Sequence, residues 1–161
     1  MSRALIFSAV FAALYAAHEV GDHWPTTYRG AMRKGMRRQD AVAAGLHPHT
    51  GPRACAAHVA TYTAVGALFL AVTVWRTGLD LSAARAVAAL SVSALTHYWA
   101  DRRYTLAWLC DRLAFIGKDV HYRLGAPRPG HQDNPTLGTG AFHLDQSFHI
   151  FWLFIAALIA A

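Results

Sequence analysis

The run ACAAHVATYTAVGALFLAVTVW, Ala54 to Trp75, decides the fold. Its only ionisable side chains are Cys55, His58 and Tyr62. Coiled at about 1.5 Å per residue, a run of this length crosses a hydrocarbon core of about 30 Å, which predicts a transmembrane helix. Working outward, Ala141 to Ala161 is a second such run, with His143, Asp145, Gln146 and His149 confined to its first half. Ala4–Val20 and Leu81–Ala100 are weaker: the first leads into His18 and Glu19, and the second carries Arg85 and His97. Read as four spans over about residues 4–22, 54–75, 81–101 and 141–161, the chain is an all-α, polytopic membrane bundle forming one domain over residues 1–161. A soluble helical bundle is the alternative. A cleaved signal ending near Ala17 is another, but cleavage there would sever the first run from the polar pair that continues it.

Composition agrees with the membrane reading. Hydrophobic residues make up 55% of the chain and charged ones 15%, against about 45–50% and about 25% in ordinary soluble domains. Lys and Arg number one before the first span, six between Pro25 and Arg53, two at Arg76 and Arg85, and six between Asp101 and Gly140. The positive-inside rule therefore puts the first and third connections in the cytoplasm and both termini outside, in a cytoplasmic (inner) membrane. A net charge of +6 suggests nucleic acid only weakly. Basic residues beside apolar spans mark topology or contact anionic lipid, and no nucleic-acid reading motif accompanies them. Two cysteines, Cys55 and Cys110, form no disulfide framework.

The connections differ in character. Trp24–Arg53 is broken by Pro25, Gly30, Gly35, Gly45, Pro48, Gly51 and Pro52 and reads as mostly irregular, with a short helix about Asp40–Leu46. Arg76–Asp80 is a short turn that makes the flanking helices antiparallel neighbours. In Tyr104–Leu124, Leu106, Leu109, Leu113, Ile116, Val120 and Leu124 recur at spacings of three or four, predicting an amphipathic helix in the membrane interface or packed on the bundle. Gly125 to Gly130 then breaks it, and Gly138-Thr139-Gly140 is too short to be a phosphate loop.

The chemistry lies at the span ends. His18 and Asp22, His97 and Asp101, and Asp145 and His149 are each four residues apart, and the order reverses in the last. Positions i and i+4 share a helix face. With two helices running inward and the last running outward, every Asp falls at one shallow level and every His one turn deeper, joined by His58. The 79-residue offset between the first two pairs hints at a parallel repeat of two hairpins. Ionisable groups at membrane depth cost a few kcal/mol unless paired, hydrated or bound to metal. One or two divalent ions, zinc, iron or manganese, account for His18, Asp22, His58, His97, Asp101, Asp145 and His149 together. Interhelical His–Asp hydrogen bonds or an ion pathway are the alternatives. His23 and His143 fall off the shared face and read as boundary residues. Cys55 reads as a small buried side chain. His47, His49, His121 and His131 read as solvated loop residues, and Glu19 as a base or a headgroup-facing residue.

Four stretches in order, His18-Glu-Val-Gly-Asp22-His23-Trp24, Cys55-Ala-Ala-His58-Val-Ala-Thr-Tyr62-Thr63, Thr96-His97-Tyr98-Trp99-Ala100-Asp101-Arg102-Arg103 and Leu144-Asp145-Gln146-Ser-Phe-His149, resemble the bacterial membrane proteins catalogued as domain of unknown function 3307. Asp-Arg-Arg and Gly138-Thr-Gly140 resemble its actinobacterial branch. The resemblance implies a membrane bundle with a His/Asp centre and supplies no reaction. Where the family often has Gln after the first Asp, this chain has Thr26 and Thr27.

The residues themselves predict metal-assisted hydrolysis of a lipid or lipid-linked substrate, with Asp22, Asp101 or Asp145 as general base or ligand-orienting carboxylate. Arg102 and Arg103 are candidates for an anionic headgroup as well as for topology. A metal or proton transporter and a non-catalytic membrane scaffold are the alternatives. Transport is disfavoured because the outer halves of the second and fourth runs offer little polarity beyond Thr73.

Overall fold

The computed structural model describes residues 2–126 and 138–161. Four long helices, α1 (Arg3–His23), α4 (Thr50–Thr77), α5 (Ala83–Asp101) and α8 (Gly140–Ala160), pack in a closed ring in which α1 touches α4 and α8, and α5 touches the same two. Short helices fill the connections: α2 (Tyr28–Lys34), α3 (Arg38–Ala43), α6 (Tyr104–Arg112) and α7 (Lys118–Arg123), with a 3₁₀ turn at Ala114–Ile116. No strand occurs among the described residues.

Local chemistry sets the helix ends. The hydroxyls of Ser2, Ser82 and Thr139 accept from the backbone N–H groups of Leu5, Arg85 and Phe142, capping α1, α5 and α8. Gly78 closes α4 in the left-handed region, at φ 64°. Pro52 lies inside the first turn of α4. It is tolerated there because the first N–H groups of a helix have no intrahelical acceptor, so its missing donor costs nothing.

The core is divided along the bundle axis. At one end Ile6, Val10, Leu14, Leu70, Ala89 and Leu153 pack with small residues of α8 into an apolar cluster. At the other end the buried side chains include His18, Asp22, His58, His97, Asp101 and His149. Leu68, Val72, Trp75, Val87, Leu95 and Phe151 face outward on the long helices. Such an apolar exterior around a partly polar core reverses the arrangement of a soluble bundle.

By length and composition α1, α4 and α8 are apolar enough to cross a membrane. The 19-residue α5 is not among them. Arg85 and the inward-facing Ser93, His97 and Asp101 lower its hydropathy while Val87 and Leu95 keep its outer face apolar.

Two connections depart from the sequence expectation. The first holds two helices instead of one in a mostly irregular loop: α2 was not anticipated, and the second is Arg38–Ala43 in place of Asp40–Leu46. In the third, the single amphipathic helix is broken at Leu113–Gly117, where Gly117 adopts φ 75°. Its apolar stripe divides accordingly, with Leu106 buried against the bundle and Ile116, Val120 and Leu124 exposed. Gly125 is left-handed at φ 69°, whereas the Pro127–Gly130 breaker and His131 lie outside the described residues.

Candidate metal centre

Gly21 lets α1 approach α4 closely, since a Cβ there would stand 3.3 Å from the Tyr62 ring. Tyr62 stacks on the His97 imidazole at a centroid distance of 3.9 Å, and its hydroxyl meets Ser93 Oγ at 2.9 Å. His149 stacks on His97 at 4.2 Å. Held in this way, His97 directs Nε2 at a junction of three helices.

Four side chains converge there. His58 Nε2 lies 3.0 Å from each of His97 Nε2, Asp22 Oδ1 and Asp101 Oδ2. His97 Nε2 lies 3.2 Å from Asp101 Oδ2 and 3.7 Å from Asp22 Oδ1. Ligand atoms about 2.0–2.1 Å from a tetrahedral ion stand about 3.3–3.4 Å apart, and these separations straddle that value. All four residues are buried, and the cluster can chelate a metal ion within the helical bundle.

The proton inventory tests whether a cation fits. The Thr26 hydroxyl donates its one proton to the Asp22 carbonyl at 2.7 Å, so its 2.8 Å contact with His58 Nδ1 requires that nitrogen to donate. In a neutral ring, Nε2 then carries a lone pair aimed at two carboxylate oxygens and another imidazole. A divalent ion set among these atoms would satisfy all of them; without one, a proton on His97 Nε2, whose Nδ1 has no partner among the described residues, or a second proton on His58 has to lie between them. His18 Nδ1 and His97 Nδ1 are buried with no hydrogen-bond partner among the described residues.

A second potential ligand group, Asp101, Asp145 and His149, shares Asp101 with the first. His149 Nε2 is buried and its nearest charged partner is Asp145 Oδ1 at 3.5 Å. Gln146 joins the two groups: its Oε1 accepts from His18 Nε2 at 3.0 Å, which turns the amide nitrogen towards Asp22 Oδ2 and Asp145 Oδ2, both at 3.5 Å. His18 is thereby a partner of the amide and stands behind the ligand atoms.

Lys34, at the end of α2, reaches into the same site. Its Nζ lies 2.8 and 2.9 Å from the two Asp101 carboxylate oxygens and 3.6 Å from Asp22 Oδ1. Burial pulls the ammonium pKa down, but the Asp101 and Asp22 carboxylates outweigh it and hold the group above the ordinary lysine value. Arg102 is buried and donates to the Lys34 carbonyl at 2.6 Å and the Met36 carbonyl at 2.8 Å, fixing the end of α2. Arg103, at φ 56°, is exposed and donates to the Ala31 carbonyl.

A cavity of about 530 Å³ opens onto this centre, bordered by Asp22, Lys34, Asp101, Arg103, Asp145 and Gln146, with Leu106 and Phe142 supplying apolar wall. Of the neighbouring residues singled out in the sequence, His23 is exposed at the cavity edge and bonds the Glu19 carbonyl. Cys55 is buried and directs its thiol to the Tyr98 carbonyl, away from the ligand atoms. Glu19, His47, His49 and His143 are exposed, and His121 is half-buried.

Sequence reasoning missed Lys34, Thr26 and Gln146 as members of the site. By sequence Lys34 is one more basic residue of the first connection, although it is one of only two lysines among fifteen basic residues. That choice of a compact ammonium over a guanidinium is the one signal available in the sequence. Comparison with family models, curated proteins and solved structures returns no match to this chain.

Proposed function

We propose that this chain is an inner-membrane metalloprotein that hydrolyses a lipid or lipid-linked substrate at the cytoplasmic surface. The likeness to the family named above and the four-span topology with both termini outside are parts of this proposal. The observation that carries it is the convergence of Asp22, His58, His97 and Asp101, their ligand atoms within 4.8 Å of one another, beside an open cavity.

Asp22, His58, His97 and Asp101 would hold the ion. Zinc suits a compact set of two imidazoles and two carboxylates. Once bound, such an ion supplies a Lewis acid that polarises a scissile bond and acidifies a water molecule. Thr26 fixes the ring tautomer of His58, and the Tyr62 and His149 rings fix the plane of His97. Asp145, with a side chain 26% exposed and bordering the cavity, is placed to take a proton from water, and His149 steadies it from behind. Leu106, Ala141 and Phe142 offer an amphiphile's chain an apolar wall next to this polar floor.

Transport is disfavoured by the apolar cluster that fills the far end of the bundle, where polar side chains do not continue the path among the described residues. Elemental analysis of detergent-purified protein tests the centre. Stoichiometric zinc, iron or manganese is expected, and its loss in His97→Ala identifies the ligand set. Metal-loaded protein is then incubated with membrane lipid extract and read by mass spectrometry. If no lipid changes while proteoliposomes pass metal in an Asp101-dependent way, transport replaces hydrolysis. If neither activity appears, the scaffold reading takes its place.

A further inference from the structure

The count of charges at the centre changes once Lys34 is included. Asp22, Asp101 and Asp145 bring three negative charges within the two ligand groups. Lys34 contributes one positive charge, so a single divalent ion leaves the site neutral, while two would leave it doubly positive. A nearly neutral cluster is the one that burial tolerates. Lys34 also stands against the carboxylate that the two ligand groups share, where a second ion would have to bind.

The ammonium is both held and unsaturated. Arg102 grips the Lys34 carbonyl itself, so the base of the side chain is pinned while its tip meets Asp101. Nζ has three protons. Asp101 accepts from it, Asp22 Oδ1 at 3.6 Å is beyond hydrogen-bond reach, and no further acceptor is in range among the described residues. Its remaining donor capacity faces the cavity that Lys34 borders. Arg103 stands on the same wall, tethered to Ala31 by one guanidinium nitrogen, and Thr139 and Tyr122 add hydroxyls. Burial pushes the Tyr122 phenol above its ordinary pKa, so it stays protonated, with its hydroxyl donating to the Arg103 carbonyl at 3.5 Å.

We propose that Lys34 is the second cation of a one-ion centre, and that with Arg103 it receives the phosphate group of a substrate entering the cavity. This rests on the metal reading above and names the substrate class for the same site. A tetrahedral oxyanion presents oxygens in several directions, matching an ion, an ammonium and a guanidinium that approach from different walls. A carboxylate would leave one of those cations unmatched. The phosphate comes from a lipid headgroup or from a soluble ester, and the chemistry of recognition is common to both.

The test uses full-length protein in detergent, loaded with zinc. One zinc per chain is expected, unchanged in Asp145→Asn. Two per chain, with one lost in Asp145→Asn, overturns the one-ion assignment. A protein that takes up no zinc overturns the metal reading itself and this inference with it. Inorganic phosphate is then titrated calorimetrically into the one-zinc protein. Lys34→Met is expected to weaken binding by about tenfold or more while keeping one zinc, because a charge-assisted contact is lost. Lys34→Arg keeps the charge but exchanges the compact ammonium for a larger guanidinium, and is expected to bind phosphate more tightly than Lys34→Met. Native protein that holds one zinc and no phosphate overturns the proposal, as does equal affinity in Lys34→Met. If Lys34→Met does not fold, Arg103→Ala, at an exposed position, decides: unchanged phosphate affinity there overturns the assignment, and a drop upholds it. Dioleoyl phosphatidate in mixed micelles separates the two sources. Binding about tenfold tighter than inorganic phosphate identifies a lipid headgroup, equal binding identifies a soluble ester, and both uphold the site.

Discussion

Thr26 ties the chain after α1 to the site, and its hydroxyl tells His58 which nitrogen carries the proton. Removing such a partner from a metal-binding imidazole typically costs about 10–100-fold in metal affinity. Thr26→Ala is accordingly expected to weaken zinc binding by about that factor, measured by competition with a chromophoric chelator, while Thr26→Ser retains most of it. Equal affinity in Thr26→Ala would show that the tautomer is set elsewhere. Asp101 sits under a heavier load, since His58, His97 and Lys34 all converge on its carboxylate. Asp101→Asn keeps the shape and removes the charge, leaving the buried Lys34 with only Asp22 Oδ1, at 3.6 Å, in place of its close counter-ion. Breaking a buried pair in this way costs about 3–5 kcal/mol, so a large fall in thermal stability is expected even in metal-free protein. A variant that lost zinc but kept its unfolding temperature would deny Lys34 its place in the pair.

At the scale of the element, α2 is the part of the site that the sequence concealed. The His/Asp pairs were legible because i,i+4 spacing on an apolar helix fixes both the face and the depth of a side chain before any tertiary contact is known. Tyr28–Lys34 has no such periodicity, contains Gly30, and carries three basic residues. Its helix rests on the Thr27 cap and on Arg102, a residue 68 positions from the carbonyl it holds. The same holds for the break in the third connection: a stripe at spacings of three and four describes one straight helix equally well as two, and the left-handed Gly117 decides between them. The close seat of α2 and α3 on α4 depends on Gly51, where an added Cβ would collide with the Met36 carbonyl. Gly51→Ala is expected to push that segment away and lower stability by about 1–3 kcal/mol, the ordinary penalty of overpacking. The loss is expected as a lower unfolding temperature together with weaker phosphate binding, since the displaced segment carries Lys34. An unchanged melting temperature would place the approach outside what holds the fold.

For the whole molecule, the polarity of the bundle is the feature from which orientation follows. The apolar cluster and the short turn after α4 share one end, and the charged connections, the centre and its cavity share the other. The outward faces of α1, α4, α5 and α8 carry large apolar side chains at levels between these ends, including Tyr15, Leu68, Leu95 and Phe154. Exposed Trp24, Tyr28, Trp108 and Phe115 lie on the polar-end elements, the composition expected where protein meets headgroups. On the proposed topology, which puts the basic connections in the cytoplasm, the cavity would face the cytoplasmic leaflet and the α4–α5 turn would face out. The turn residue Leu79 is buried and makes a poor reporter, whereas Asp80 is exposed beside it and Gln39 is exposed at the opposite end. The native Cys55 and Cys110 are buried. In intact cells, Asp80→Cys is expected to react with a membrane-impermeant maleimide, and Gln39→Cys is expected to react only after the membrane is opened. The reverse pattern would invert the bundle and send the cavity, with its lysine and its ligand cluster, to the outer leaflet. Labelling of both positions in intact cells would remove the membrane from the argument altogether, leaving a helical bundle whose apolar flanks require some other cover.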